Sequence, residues 1–103
     1  MHLQYTAWPD HGVPNDFDDI VKLFTIYRES RAKQKPEQAV VVHCSAGIGR
    51  SGVFTLIDSI LDDISRPDNP DPQINIFEAL KEIRKQRPGS IQTPVFITRM
   101  LCV

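Results

Sequence analysis

A cysteine and an arginine six residues apart, Cys44 and Arg50, bracket a run of small residues in V-V-V-H-C-S-A-G-I-G-R-S-G at 40–52. These residue types point to anion chemistry beside a nucleophile. Gly47 and Gly49 accept backbone angles closed to other residues, so the loop can curl tightly and bring its N–H groups close to a ligand. Arg50 adds a planar fork of donors that matches two oxygens of a phosphate. Cys44 stands at the base of the same loop. A thiol among backbone N–H groups, a helix N-terminus and a guanidinium ionises readily, its pKa falling from about 8.5 to roughly 3.5–7.5 in such surroundings. The loop therefore offers a phosphate cradle and a thiolate together.

Two other readings compete. Gly47-x-Gly49-x-x-Gly52 has the spacing of dinucleotide-binding glycines, which calls for an acidic residue about 20 positions later at the end of a second strand. Asp68 and Asp71 fall near that distance, but inside R-P-D-N-P-D-P, which cannot be a strand. The other reading makes Cys44 a small buried hydrophobe and Arg50 a solvated side chain. A cysteine and an arginine framing two glycines at one turn argue against it.

The elements that must position these groups follow from pattern. Residues 39–42 are short, apolar and β-branched, which predicts a strand feeding the loop. Val53, Leu56, Ile57, Ile60, Leu61 and Ile64 recur at helical spacing and predict a helix beginning near Arg50. A strand–loop–helix unit aims loop N–H groups and a positive helix end at one spot, which suits an anion. Upstream, residues 3–7 read as a short strand and W-P-D-H-G-V-P at 8–14 as a loop. Thiolate attack on a phosphate ester needs an acid for the leaving oxygen, and Asp10 on a mobile loop is a candidate. No role is assigned to His11, which reads as a solvated loop residue.

Asn15 or Asp16 can cap a helix running to about Lys33, with Phe17, Ile20, Val21, Phe24 and Tyr27 on its apolar face. K-Q-K-P-E-Q then connects to residues 39–42. After the proline-rich segment S-R-P-D-N-P-D-P-Q, a third helix is predicted over about 75–86, burying Ile76, Ala79, Leu80 and Ile83. Its basic last turn, Lys81, Arg84, Lys85 and Arg87, complements the helix dipole, and Pro88-Gly89 stops it. Thr93 and Pro94 read as the start of a last helix.

With 103 residues the chain holds at most one domain and a modest core. A formal charge of −1 favours neither nucleic acid nor a membrane surface as partner. No apolar stretch is long enough to span a bilayer, and no signal peptide is evident at the start. Two cysteines suit a reducing compartment rather than a disulfide scaffold. His2, His11 and His43 are too scattered for a zinc site.

The string H-C-S-A-G-I-G-R-S-G resembles the signature loop of the tyrosine-specific protein phosphatases that use a cysteine nucleophile. W-P-D-H-G-V-P resembles the acid-bearing loop of that family, and R-K-Q-R-P-G-S-I-Q-T resembles its glutamine segment. The resemblance implies an α/β fold, a twisted mixed sheet flanked by helices. It covers the later part of that domain, so the chain, 1–103, reads as a truncated C-terminal portion carrying acid loop, phosphate loop and glutamine loop. The earlier strands and the loop that clamps the phosphotyrosine ring are expected to be missing.

The resemblance further implies a two-step reaction without cofactor or metal. The phosphate of a phosphotyrosine protein docks on the N–H groups of Ser45, Ala46, Gly47, Ile48, Gly49 and Arg50. Cys44 attacks phosphorus while Asp10 protonates the tyrosine oxygen, and Gln92 then places a water for hydrolysis of the cysteinyl phosphate. Ser51 steadies the departing thiolate, with His43 and Trp8 in supporting positions. Phe96 stands where the family usually has a second glutamine. The compartment implied is the cytoplasm, or the cytoplasmic part of a larger membrane protein; oligomeric state is open. The rival expectation is an inactive fragment, or a module that captures phosphotyrosine without turning it over.

Overall fold

The computed structural model describes residues 1–9 and 12–92. Its elements are three helices: α1, Phe17–Ala32; α2, Arg50–Ser65; and α3, Ile76–Gln86. The expected last helix, together with Phe96, Asp10 and His11, lies outside the described residues.

Local chemistry marks the starts of α1 and α3 and the ends of α2 and α3. The Asp16 carboxylate accepts the Asp18 N–H at 2.9 Å and caps α1, and the Asn75 side-chain oxygen accepts the Glu78 N–H at 3.1 Å and caps α3. Both satisfy backbone donors that a helix start leaves unpaired. α2 and α3 each end at a residue before proline, Arg66 and Arg87, both with extended backbone. Contact with the proline ring disfavours helical angles at that residue.

The chain divides into two compact units, Met1–Val41 and Val42–Val103. In the first, Ile20, Phe24 and Tyr27 of α1 are buried, as are Trp8, Val13 and Pro14. The Trp8 indole N–H donates to the Gly12 carbonyl at 3.2 Å. Val21, expected on the apolar face of α1, is exposed instead. In the second unit α2 packs against α3, with Val53, Leu56 and Leu80 buried and Ile64 left exposed at the far end of α2.

The expected twisted mixed sheet is absent: the described residues contain three helices and no strand. Residues 3–7 and 39–42, predicted as strands, are irregular. β-Branching favours extended backbone, but a strand exists only when a neighbour takes up its N–H and C=O groups. Residues 39–43 make no backbone hydrogen bond to another described residue, and Val41 and Val42 are 84% and 40% exposed. The α/β fold class is thus corrected to a helical one for the described residues.

Candidate active site

The loop before α2 gathers around the Cys44 thiol. Residues 45–49 form a series of bends that ends at Gly49, the N-cap of α2, which has no side chain to bond the first turn. The helix N-terminus is left for other acceptors. Gly47 has φ +75, and the Gly47 N–H donates to Cys44 Sγ at 3.2 Å. In the first turn of α2, the buried Ser51 hydroxyl lies 3.3 Å from the same sulfur.

Partial burial pushes the Cys44 thiol up. The Ser51 hydroxyl, the Ser51 and Gly47 N–H groups and the Arg50 charge outweigh it, and bring the pKa down to about 7. Each of these favours the anion, by hydrogen bonding or by charge. Near neutral pH a large share of the sulfur is thiolate, the nucleophilic form.

A second group of residues holds the loop from behind. The Arg87 Nε–H, just past the end of α3, donates to the Gly47 carbonyl at 2.6 Å, and the Ile91 N–H donates to the Ile48 carbonyl at 2.8 Å. Arg84 donates from Nε to the Ser90 carbonyl at 2.9 Å and from Nη2 to the Ile91 carbonyl at 2.8 Å. Ile91 is fully buried and takes φ 61, a left-handed conformation that is costly for a β-branched residue. The Arg84 and Ile48 bonds on its carbonyl and N–H over-determine that conformation. Gly52 of α2 allows the approach, since a Cβ there would lie 3.2 Å from Ile91 N.

Gln92 follows directly. Its Oε1 sits 3.9 Å from where a Cβ of Gly49 would be, so the amide stands at the edge of the loop. Cys44, Gly47, Gly49, Ser51 and Gln92 are therefore brought together. Ser45 and Ala46 are exposed on the loop, Ile48 and Arg50 half-buried. His43 is exposed and, with Gly47, Ser51, Thr55, Ile83 and Arg87, lines a cleft of about 330 Å³ to which neither Cys44 nor Arg50 contributes. That cleft borders the loop and the α2–α3 pair rather than the thiol. Trp8 belongs to the other unit and is described above. From sequence, Arg84 and Arg87 read only as a complement to the dipole of α3 and Ile91 has no role; a basic helix end predicts no particular carbonyl as its target.

Among the described residues no cluster of His, Cys, Asp or Glu is arranged to hold a metal ion, and no helix is long and apolar enough to cross a membrane.

The sequence profile of the protein-tyrosine phosphatase family matches residues 1–101. Among curated proteins, the chain is 43% identical over 93 residues to human tyrosine-protein phosphatase non-receptor type 2, covering 90% of this chain and 21% of that protein. It is 41% identical over 95 residues to tyrosine-protein phosphatase 2 of Dictyostelium discoideum, covering 89% of the chain and 24% of the relative. With the Drosophila melanogaster tyrosine-protein phosphatase corkscrew it shares 42% identity over 97 residues, covering 90% of the chain and 11% of the relative. The chain thus spans a quarter or less of the length of each of these relatives.

Proposed function

Because the chain belongs to the protein-tyrosine phosphatase family, we propose that it supplies the nucleophile, phosphate loop, acid loop and water-positioning segment for hydrolysis of phosphotyrosine in proteins. The observation that carries this reading is the Cys44 thiol, bonded by the Gly47 N–H and the Ser51 hydroxyl and brought down to a pKa of about 7.

In the first step Cys44 Sγ attacks phosphorus, the S–P bond forms and the bond from phosphorus to the tyrosine oxygen breaks. Asp10 delivers its proton to that oxygen, so tyrosine leaves neutral. The N–H groups of residues 45–50 and the Arg50 fork meet the charge on the three phosphoryl oxygens. In the second step a water held by Gln92 attacks phosphorus, Asp10 takes a proton from it, and the S–P bond breaks. The Ser51 hydroxyl, already against the sulfur, steadies the thiolate as it departs. His43 orients the loop that carries Cys44, and Trp8 supports the loop that carries Asp10.

Neither metal nor cofactor takes part in this scheme. The substrates are phosphotyrosine proteins and the compartment is the cytoplasm, a reading supported by the non-receptor name of the human relative. The test is hydrolysis of an aryl phosphate by the 103-residue chain and by a longer protein containing it, each beside its Cys44→Ser variant. Turnover that Cys44→Ser abolishes is expected. Turnover that survives the substitution overturns the covalent mechanism, and phosphate binding without turnover in either protein favours a phosphotyrosine-binding module.

A further inference from the structure

Two consecutive carbonyls of the phosphate loop, Gly47 and Ile48, are each taken by a donor from outside the loop. The Arg87 Nε–H holds the first at 2.6 Å, and the Ile91 N–H holds the second at 2.8 Å. No peptide bond in the described chain is cis, and a trans peptide points its N–H opposite to its C=O. The peptide that carries the Gly47 carbonyl also carries the Ile48 N–H. The next one carries the Ile48 carbonyl and the Gly49 N–H. Pinning both carbonyls outward therefore turns two N–H groups the other way.

We propose that Arg87 is a positioning residue for phosphate binding: with the Ile91 N–H it fixes two loop peptides so that the Ile48 and Gly49 N–H groups face the anion. This rests on the reading of residues 45–50 as the phosphate site. The guanidinium never meets the phosphate; it acts through the backbone. A glycine at position 47 is part of the device, since a Cβ there would lie 2.8 Å from Arg87 Nη2. Its φ of +75 is also one that other residues rarely adopt. Ile91 is held in turn by Arg84, so both arginines near the end of α3 serve the loop.

Without the outer bond, the Gly47–Ile48 peptide is free to rotate, and part of the binding is spent on ordering it. The Cys44 thiol should not notice. The groups that lower its pKa are the Ser51 hydroxyl and N–H, the Gly47 N–H and Arg50, and the Gly47 N–H belongs to the preceding peptide.

The experiment titrates the ¹⁵N-labelled 103-residue chain with inorganic phosphate, following the Ile48 and Gly49 amide resonances, and measures Cys44 alkylation against pH. In Arg87→Ala, phosphate affinity should fall about tenfold, the equivalent of one hydrogen bond. The shifts at Ile48 and Gly49 should shrink, with the alkylation midpoint unmoved. Arg87→Lys keeps the charge and one donor and should fall between.

Unchanged affinity in Arg87→Ala overturns the proposal, as does full recovery in Arg87→Lys, which would mean that charge alone suffices. A loss of affinity accompanied by a raised alkylation midpoint also overturns it, because the loop would then have collapsed as a whole. If no loop amide of the unsubstituted chain responds to phosphate, the phosphate-site reading itself fails and takes this proposal with it.

Discussion

At the scale of single residues, the thiol of Cys44 shows how a small number of contacts sets reactivity. Partial burial by itself pushes its pKa up. Two N–H groups, one hydroxyl and one guanidinium reverse that and bring the pKa to about 7. Removing the hydroxyl tests the balance. In Ser51→Ala the alkylation midpoint should move up toward the ordinary thiol value, since the side-chain bond from Ser51 is the largest of the lowering effects. A midpoint that stays near neutrality would show that the N–H groups and Arg50 suffice. The same shift has a sign in stability. The folded-state pKa lies below the unfolded one, so folding gains from thiolate formation as pH rises from about 7 to the ordinary thiol range and loses that gain as pH falls back through about 7. Denaturant midpoints taken across that window should rise with pH in the native sequence and flatten in Cys44→Ser.

At the scale of elements, α2 is held to its neighbours by the smallness of one residue. Gly52 stands near the start of the helix, where replacing glycine by alanine would ordinarily gain about 1 kcal/mol of helix propensity. Here the added methyl would meet the Ile91 backbone N and Cγ1, both at 3.2 Å. Ile91 has nowhere to go, because its N–H is bonded to Ile48 and its carbonyl to Arg84. Overpacking of about 1–3 kcal/mol should therefore outweigh propensity, leaving Gly52→Ala less stable than the native chain. Ser59→Ala, at an exposed position of the same helix, should be neutral or better. Comparing the two denaturation midpoints decides the matter; a stabilised Gly52→Ala would mean that the segment at 90–92 yields easily. A displaced Ile91 should also disturb Gln92 beside it.

For the molecule as a whole, the apolar surface left open matters most. Val41 is 84% exposed and Phe77 66%, though Lys81 places its ammonium 5.1 Å from the Phe77 ring centre. An apolar, β-branched run with no neighbouring strand among the described residues is a template for pairing with other chains. The 103-residue protein should therefore self-associate as its concentration rises. Val41→Lys should reduce that association in sedimentation velocity without moving the Cys44 alkylation midpoint. Equal association in both would place the sticky surface elsewhere, with Phe77 the next candidate.

Most of what identifies this chain was legible in its amino-acid order, because the signals are local. The spacing of Cys44 and Arg50, the cap expected at Asn15 or Asp16, the Pro88-Gly89 stop and the helical periodicities all act within a few residues. The loop signature therefore pointed to the right family, and three helices begin and end close to where those signals put them. The strand at 39–42 was misjudged for the opposite reason. Extended propensity belongs to the segment, but a strand is a relation between two segments, and none of the described residues supplies the second. The hold of Arg87 on Gly47 joins residues 40 positions apart, and the left-handed Ile91 is sustained by Arg84 and Ile48 together. Such contacts leave no mark in local composition; only the packing of α3 beside the start of α2 brings donor and carbonyl within bonding distance.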